Sequence, residues 1–448
     1  MTEASPLLQQ EFSNLFDALG PFAAKPIIAV AVSGGADSMA LCLLAQEWAA
    51  QKGGKAIAIT VDHGLRAESA NEATQVHNWL ALRGIEHHIL RWEKEKNPAG
   101  NIQEQAREAR FQLLTDFCKQ KQIADLCLGH HQGDVAENFL IRLSRGSGVY
   151  GLAAMTAVSH RDGIRILRPL LDIPKSRLIA ALKTLGQAWI EDPSNDNEDF
   201  LRVQFRKHQA LFDSLGLTAH RLVETAKNML RAKDAIAVQV ADAMAQCLKI
   251  HDFGYAEIDR QKLTQFPAEI GLRLLADVLT CIGGKDVTPR LDSLENLHQE
   301  LITSDRKITK TLSGCIIETD STISVYREFG LIDDKIPITA GQKSFLWDGR
   351  FCIEWSLNAV PHNLYIGQIT EKGWANAVQF CPEMRASPVS YTARLGLPAL
   401  WRQKTDRLDT ATDELMAIPH LNYWKNAEIS DLKPRMRLYF HPQHKIKP

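Results

Sequence analysis

Ile27-Ile28-Ala29-Val30-Ala31-Val32-Ser33-Gly34-Gly35-Ala36-Asp37-Ser38 decides the fold of this chain. The first six residues are an apolar run of strand-forming types. After the turn, Met39, Leu41, Leu43 and Leu44 open an amphipathic helical pattern. The order is strand, glycine-rich turn, helix. Gly34 and Gly35 let the backbone fold tightly and approach an anion. The helix N-terminus beyond them offers N–H groups without intrahelical partners and a partial positive charge. Ser33 and Ser38 add hydroxyl donors, Ala36 keeps the turn small, and Asp37 places a carboxylate where a metal ion would meet phosphates.

Other phosphate motifs do not fit. A Walker loop needs a Lys after its last glycine, and none follows here. The literal Gly-x-Gly-x-x-Gly string, Gly146 to Gly151, follows a predicted helix instead of a strand, so it is not a dinucleotide fingerprint.

Outward from the turn, strand and helix patterns alternate. Ala56–Val61 reads as a strand ending in Asp62-His63-Gly64, 70–82 as a helix, and 87–90 as a short strand. A helix over 103–119, a buried strand over 125–128 and a helix starting near Asp134 follow. Repeated βα units predict an α/β fold: a doubly wound parallel sheet with helices on both faces. Ligands bind beyond the carboxyl ends of such strands. That rule gathers the Ser33 turn, Asp62-His63 and His130-His131 around one crevice. From about Leu217 to Leu301 the chain reads as helices, then as short strand-like runs to Tyr326, and from about Gly341 as short strands rich in turns. Three domains are expected: 1–215, 216–335 mainly helical and ending in a short β hairpin, and a small β-rich 336–448.

At 448 residues with 45% hydrophobic and 23% charged residues, the chain has the composition of a globular, multidomain protein. No apolar run approaches a membrane span. Glu3 and the lack of a basic start do not read as a signal peptide. None of the eight cysteines forms a Cys-x-x-Cys pair, which argues against a zinc ribbon, a cluster or a redox dithiol, and scattered thiols fit a cytoplasmic protein. Net charge is −1, yet basic residues concentrate locally: Arg142, Arg145, Arg168 and Lys175; Arg202, Arg206 and Lys207; Lys433, Arg435, Arg437, Lys445 and Lys447. Several basic patches favour a large polyanionic partner.

His130-His131-Gln132-Gly133-Asp134-Val135-Ala136-Glu137 runs from a strand end into a helix. Asp134 and Glu137, three apart, share a helix face, and His131 and Asp134 face the same crevice in this reading. The plainer alternative is a helix start with a favourable first-turn acid.

Ser33–Ser38 resembles the signature of the PP-loop ATP pyrophosphatases, with an adenine-nucleotide alpha-hydrolase-like fold. With the downstream elements, the chain resembles the bacterial tRNA(Ile)-lysidine synthetase family. Those elements are Val61-Asp62-His63-Gly64-Leu65-Arg66, the Arg107–Arg110 helix, His130-His131 with Asp134 and Glu137, Arg145-Gly146-Ser147-Gly148-Val149-Tyr150-Gly151-Leu152 with Met155, Arg168-Pro169-Leu170-Leu171 and Glu191-Asp192-Pro193-Ser194-Asn195. The match is dense over 27–207 and thin beyond about 330. Two departures stand out. Gly133 and Val135 replace an acid and a Gln usual in the family, and Phe200-Leu201-Arg202-Val203 stands where the family often has Arg-Asn.

The resemblance implies an enzyme that adenylates O2 of the wobble cytidine in a CAU-anticodon tRNA(Ile), then lets the ε-amine of free L-lysine displace AMP at C2. It implies Ser33, Gly34, Gly35, Ala36, Asp37, Ser38, Asp62 and His63 as ATP residues, with Asp37, His131 and Asp134 catalytic and Asp37 and Asp134 on Mg2+. Arg107, Arg110, Arg142, Arg145, Gly146, Gly148, Arg202 and Arg206 are candidates for tRNA or lysine. A homodimer is left open.

The chemistry accounts for these residue types. Charge gathers on phosphorus and departing pyrophosphate, where backbone N–H groups and a cation stabilise it. The neutral amine of lysine costs about 4.6 kcal/mol at pH 7, from a reference pKa near 10.4. A base or desolvation must supply that; Asp134, His131 and Asp37 are the candidates, and His131 is equally a phosphate donor. The target base must leave the anticodon stack. The competing readings are a tRNA thiolase, which usually needs paired cysteines, and an RNA-binding relative without catalysis, suggested by Gly133 and Val135.

Overall fold

The computed structural model describes residues 4–64, 68–92, 102–191, 201–285, 288–304, 306–360, 363–403, 413–444 and 446. Leu65, Arg66, residues 192–195, Phe200, Lys445 and Lys447, used in the sequence reading, lie outside the described residues, as does the side chain of Arg202. Contacts divide the chain into two compact units, Met1–Asp234 and Ala235–Pro448.

The first unit runs α1 (Gln9–Asp17), β1 (Ile27–Ala31), α2 (Ala36–Gln51), β2 (Lys55–Asp62), α3 (Ser69–Leu82), β3 (Glu86–Arg91), α4 (Ile102–Gln120), β4 (Asp125–Cys127) and α5 (Gln132–Leu143). It continues with α6 (Val149–Leu152), β5 (Val158–Arg161), β6 (Ile164–Leu167), α7 (Lys175–Thr184), α8 (Leu201–Lys207), α9 (Gln209–Ser214) and the start of α10 (Ala219–Cys247). The sheet order is β3-β2-β1-β4-β6-β5. Every pairing is parallel except β5 against β6. That antiparallel edge hairpin is absent from the sequence expectation, because its strands are four residues each and flank a two-residue Asp162-Gly163 turn with both φ positive.

Period-two alternation on β1 sends Ile28 and Val30 to one face, with Val32 beyond the strand, and Ala29 and Ala31 to the other. The first face carries α2, α3 and α7 with Met39, Leu41, Val76, Leu80 and Leu178. It also carries α1, whose Phe12 and Phe16 pack with Trp48. The second face is covered by α4 through Leu114 and Phe117. The chain builds β1, β2 and β3 outward, then returns to place β4 on the other side of β1. The switch point therefore lies between the carboxyl ends of β1 and β4. Gly129 makes this junction close, since a Cβ there would stand 3.2 Å from Ser38 Cα and N.

The second unit continues α10 and adds β7 (Leu248–His251), β8 (Tyr255–Asp259), α11 (Arg260–Leu263), α12 (Ala268–Gly283), α13 (Leu291–Thr303), β9 (Ile308–Leu312), β10 (Cys315–Thr319) and β11 (Thr322–Arg327). The strands form one antiparallel sheet, β7-β8-β11-β10-β9. The segment is mainly helical as expected, but its closing hairpin is part of a five-stranded sheet: β7 and β8 escaped because they are four and five residues between two strong helical patterns. The elements β12 (Ile336–Pro337), β13 (Gly341–Trp347), β14 (Phe351–Leu357), β15 (Leu364–Gln368), α14 (Glu371–Phe380), α15 (Tyr391–Leu395), β16 (Pro398–Arg402), β17 (Glu414–Ile418), β18 (Tyr423–Trp424), α16 (Ala427–Ser430) and β19 (Met436–Phe440) complete it. They build the β12-β15-β16-β17-β18 and β13-β14-β19 sheets over a core of Trp347, Phe351, Ile353, Ile366, Leu400 and Ile418.

A buried ionic node ties these sheets together. Asp348 accepts from Arg327 Nη2 at 2.8 Å and Arg350 Nε at 2.7 Å, with Arg327 and Arg350 only 4% and 1% exposed. Arg327 Nε also donates to Asp348 Oδ2 at 2.9 Å, and further guanidinium hydrogens go to carbonyls: Arg327 to Gly314 and Leu331, Arg350 to Gly254 and Gly396. Among the described residues no helix is long and apolar enough to cross a membrane.

Candidate active site

A cleft of about 640 Å3 opens at the switch point. Ser33, Gly35, Ala36 and Asp37 line it from the β1–α2 turn, His131 and Asp134 from the start of α5, and Lys175 from the start of α7. Trp189, Ile190 and Glu191 close another side, with Val203, Arg206 and Lys207 from α8.

The turn is held from within. The Ser33 N–H donates to Ser38 Oγ at 3.1 Å, the two hydroxyls lie 3.2 Å apart, and Ser38 Oγ donates to the Gly35 carbonyl at 3.1 Å. Gly34 has φ +89°, and a Cβ there would meet Ile190 Cδ1 at 2.8 Å and Val76 Cγ2 at 2.9 Å. The turn thus needs glycine for both conformation and space. Its carbonyl accepts from Ile190 N at 2.9 Å, tying the turn to the cleft wall.

His131 is the N-cap of α5. Its Nδ1 accepts from the Gly133 N–H at 2.9 Å, while Asp134 Oδ2 accepts from the His131 N–H at 2.9 Å. An Nδ1 that accepts is unprotonated, so the proton of the neutral ring sits on Nε2. Nε2 lies 3.6 Å from Asp37 Oδ2 and 3.7 Å from Asp134 Oδ2. His131 is therefore set as a hydrogen-bond donor between two carboxylates. In this tautomer Nε2 has no lone pair to take a proton from an amine, which leaves the carboxylates as acceptors.

Cations oppose these acids. Lys175 Nζ is 3.6 Å from Asp37 Oδ2, and Arg206 is 4.0 Å from Asp134 Oδ1 while gripping Glu137 with two donors. That grip raises the Arg206 pKa, chiefly through the hydrogen bond to Glu137. Asp37 Oδ1 is buried and has no partner. An orphan carboxylate oxygen beside an anion-binding turn is what a phosphate-bound Mg2+ would complete, since Mg2+ takes one or two carboxylates plus phosphate oxygens. Among the described residues, no cluster of three or more His, Cys, Asp or Glu is placed to hold a metal on its own.

A second group stands beside the cleft, at the ends of β2, β4 and β6. His63 and His130 each have a buried Nδ1 without a partner, and so does Arg168 Nε. Burial pushes the His130 pKa down to about 4, with Asp134 acting upward and Arg168, Arg110 and Arg107 downward. Burial and then Arg110 lower that of His63. Arg110 and Arg168 are themselves disfavoured by burial and by Arg107. Among the described residues neither Arg110 nor Arg168 has an ion-pair partner. Cations and neutral histidines with unused polar atoms make an anion site. Asp62 does not face it as a free ligand: its Oδ1 accepts from Gly64 N and Ser69 Oγ and so shapes the strand end.

Arg142, Arg145, Gly146 and Gly148 lie outside the cleft, exposed at and beyond the far end of α5, which is roughly 13 Å along the helix from Asp134. Leu152 and Met155 of the same motif are partly buried, packed against the cluster of Phe139, Leu222 and Val223. Val135 is 3% exposed in that cluster, which accounts for an apolar residue where the family usually has Gln. The sequence reading assigns no site role to Lys175, Glu137 or Arg168, although Glu137 stands in the His130–Glu137 motif and Lys175 and Arg168 in a basic patch.

The PP-loop domain family matches residues 5–211. A tRNA(Ile)-lysidine synthase of Wolbachia pipientis wMel is 39% identical over 327 residues, 72% of this chain and 76% of that one. The tRNA(Ile)-lysidine synthase of Orientia tsutsugamushi (strain Boryong) is 31% identical over 434 residues, 95% of this chain and 96% of the other. That of Ruegeria pomeroyi is 35% identical over 387 residues, 85% and 88% of the two chains. With its ATP-type turn at the switch point and this similarity along most of its length, the chain belongs to the tRNA(Ile)-lysidine synthase family.

Proposed function

We propose that this protein joins L-lysine to C2 of the wobble cytidine of a CAU-anticodon tRNA(Ile), using ATP and releasing AMP and pyrophosphate. The observation that carries the reading is the pairing of Asp37 and Asp134 around His131 Nε2 at the switch point, beside the Ser33–Ser38 turn. Pyrophosphate sits on the turn, where the α2 N-terminus, Ser33 and Ser38 offer donors. Lys175, Arg206 and Lys207 face the same cleft and offset the charge that develops as it leaves. Asp37 and Asp134 would hold Mg2+, which supplies charge neutralisation across the phosphates.

His131 donates from Nε2 to an α-phosphate oxygen, a role its tautomer fits better than that of base. Asp37 or Asp134 then takes the proton from the lysine amine. The Arg107, Arg110 and Arg168 group holds the lysine carboxylate, and its positive field favours a neutral amine nearby. Arg142, Arg145, Gly146 and Gly148 contact the anticodon arm. Residues 1–215 form the catalytic domain, and 216–335 with 336–448 contact the tRNA body, where phosphate contacts position the substrate. The enzyme acts in the cytoplasm.

The test is incubation with ATP, Mg2+, radiolabelled lysine and CAU-anticodon isoleucine tRNA, with methionine tRNA as control. Label joined to the isoleucine tRNA alone, with AMP released, is the expected result. Folded, ATP-binding protein that incorporates no lysine would overturn the reading.

A further inference from the structure

The second unit contains a cavity of about 510 Å3 that none of these roles uses. We propose that it receives one unstacked nucleobase of the bound tRNA. The proposal rests on the tRNA reading above and adds a second point of base recognition, outside the catalytic unit.

Phe253, Met384 and Val389 give the cavity apolar walls, and His420, Glu383 and Tyr423 give it polar ones. His420 is the informative residue. Both its ring nitrogens are buried, and neither has a hydrogen-bond partner. Buried polar atoms are ordinarily satisfied, and an imidazole with two idle nitrogens is a standing demand for a ligand. The ring is fixed edge-on against Phe351, with centroids 5.0 Å apart and planes at 73°. Burial holds it neutral, its pKa pushed down to about 4. A neutral imidazole presents one donor and one acceptor on diverging ring edges, and either one can bond a group on a nucleobase edge.

The rest of the cavity narrows the ligand class. No Lys or Arg is among its lining residues, and Glu383 brings a carboxylate, so a phosphate is not what it takes. Two polar nitrogens and a carboxylate are equally wrong for an acyl chain. A flat, apolar-faced group with hydrogen bonds at its edge fits both kinds of wall. A separate observation concerns the exposed rings. Phe380, 64% exposed and with Lys425 Nζ 4.7 Å over one ring face, directly precedes the cavity residue Cys381, and Tyr391, 49% exposed, follows Val389 by two residues. Exposed aromatic rings near pocket residues in the chain are the kind of stacking platform that single-stranded nucleic acid uses.

The test has two arms on the full-length protein. In the first, the His420 ring signals are identified by NMR, with His420→Phe as the blank, and AMP, CMP, GMP and UMP are added separately. At least one nucleotide is expected to shift them. In the second arm, His420→Phe and the surface change Glu383→Gln are each expected to raise KM for tRNA about tenfold, the effect of one lost base contact. The values of kcat and KM for ATP and lysine should stay as in the unmodified protein. Unmoved ring signals with all four nucleotides, together with unchanged tRNA KM in both variants, would mean the cavity holds only water and would overturn the proposal. Failure of the lysidine reading would look different: the unmodified protein would incorporate no lysine, while the nucleotide arm would still report on the cavity.

Discussion

Replacing Gly133 by Ala separates helix stability from catalytic geometry. Gly133 is the second residue of α5, where Ala would ordinarily stabilise by about 0.5–1 kcal/mol relative to glycine. Here the added Cβ would stand 2.7 Å from His131 Cε1 and 3.1 Å from Nδ1. Ordinary contact begins at 3.4 Å, so the ring must retreat by about 0.7 Å. The retreat weakens the Nδ1 cap on the Gly133 N–H, a loss of about 1 kcal/mol. The two stability terms nearly cancel, and the melting temperature should stay close to that of the unmodified protein. Turnover should not. A catalytic donor displaced by most of an ångström loses up to about a hundredfold. The assay is lysine incorporation into tRNA(Ile) beside thermal unfolding, and the expected result is an unchanged melt with kcat reduced at least about tenfold. Unchanged kcat would refute the claim that Gly133 keeps His131 in place. Gly133→Asp, which restores the residue usual in the family, carries the same Cβ and should also lose activity.

Asp37→Asn should abolish ATP-dependent adenylation while sparing tRNA binding by filter retention; retained turnover would remove Asp37 from its assigned role. Changing Lys433, Arg435 and Arg437 together to Ala should weaken tRNA binding and lower the slope of log K against log salt by up to about 3, whereas an unchanged slope would make that patch an ordinary solvated face. Asp348→Ala leaves two buried guanidinium groups without their carboxylate and should cost about 3–5 kcal/mol in urea unfolding of the second unit. Burial and then the charges of His77 and His88 push the His87 pKa from 6.5 down to about 4, so below about pH 6.5 the unfolded chain takes up a proton that the folded one refuses. Stability should therefore fall as pH drops from about 6.5 to about 4, and His87→Gln should flatten that fall in melts across the range.

Local signals were legible in the sequence. The Ser33–Ser38 turn, the strand ends at Asp62 and His130, and the parallel sheet all follow from short patterns read in order. What escaped depends on distant partners. Lys175 enters the cleft from a helix that carries no motif of its own, and although Arg206 reads as a basic candidate, nothing in a string of letters pairs it with Glu137. The tautomer of the neutral His131 ring is set by one backbone N–H two residues on, which becomes visible only once α5 is built. Asp62 reads as a strand-end residue of the nucleotide site, and only the folded strand end shows that its Oδ1 already accepts from Gly64 and Ser69. Strands β5 to β8 were too short to outweigh the patterns around them.

The node at Asp348 bears on modularity. Arg327 closes the middle antiparallel sheet, but its carboxylate partner lies beyond the proposed boundary at residue 335. Arg350 in turn bonds carbonyls from both sides of that boundary, at Gly254 and Gly396. A chain cut at 335 would keep a guanidinium in its interior and discard the counter-charge. The last hundred residues are thus not an appendage that a shortened gene product, or a minimal expression fragment, could shed. Loss of the C-terminal sheets would be felt first as misfolding of the segment before them, and only then as weaker grip on RNA.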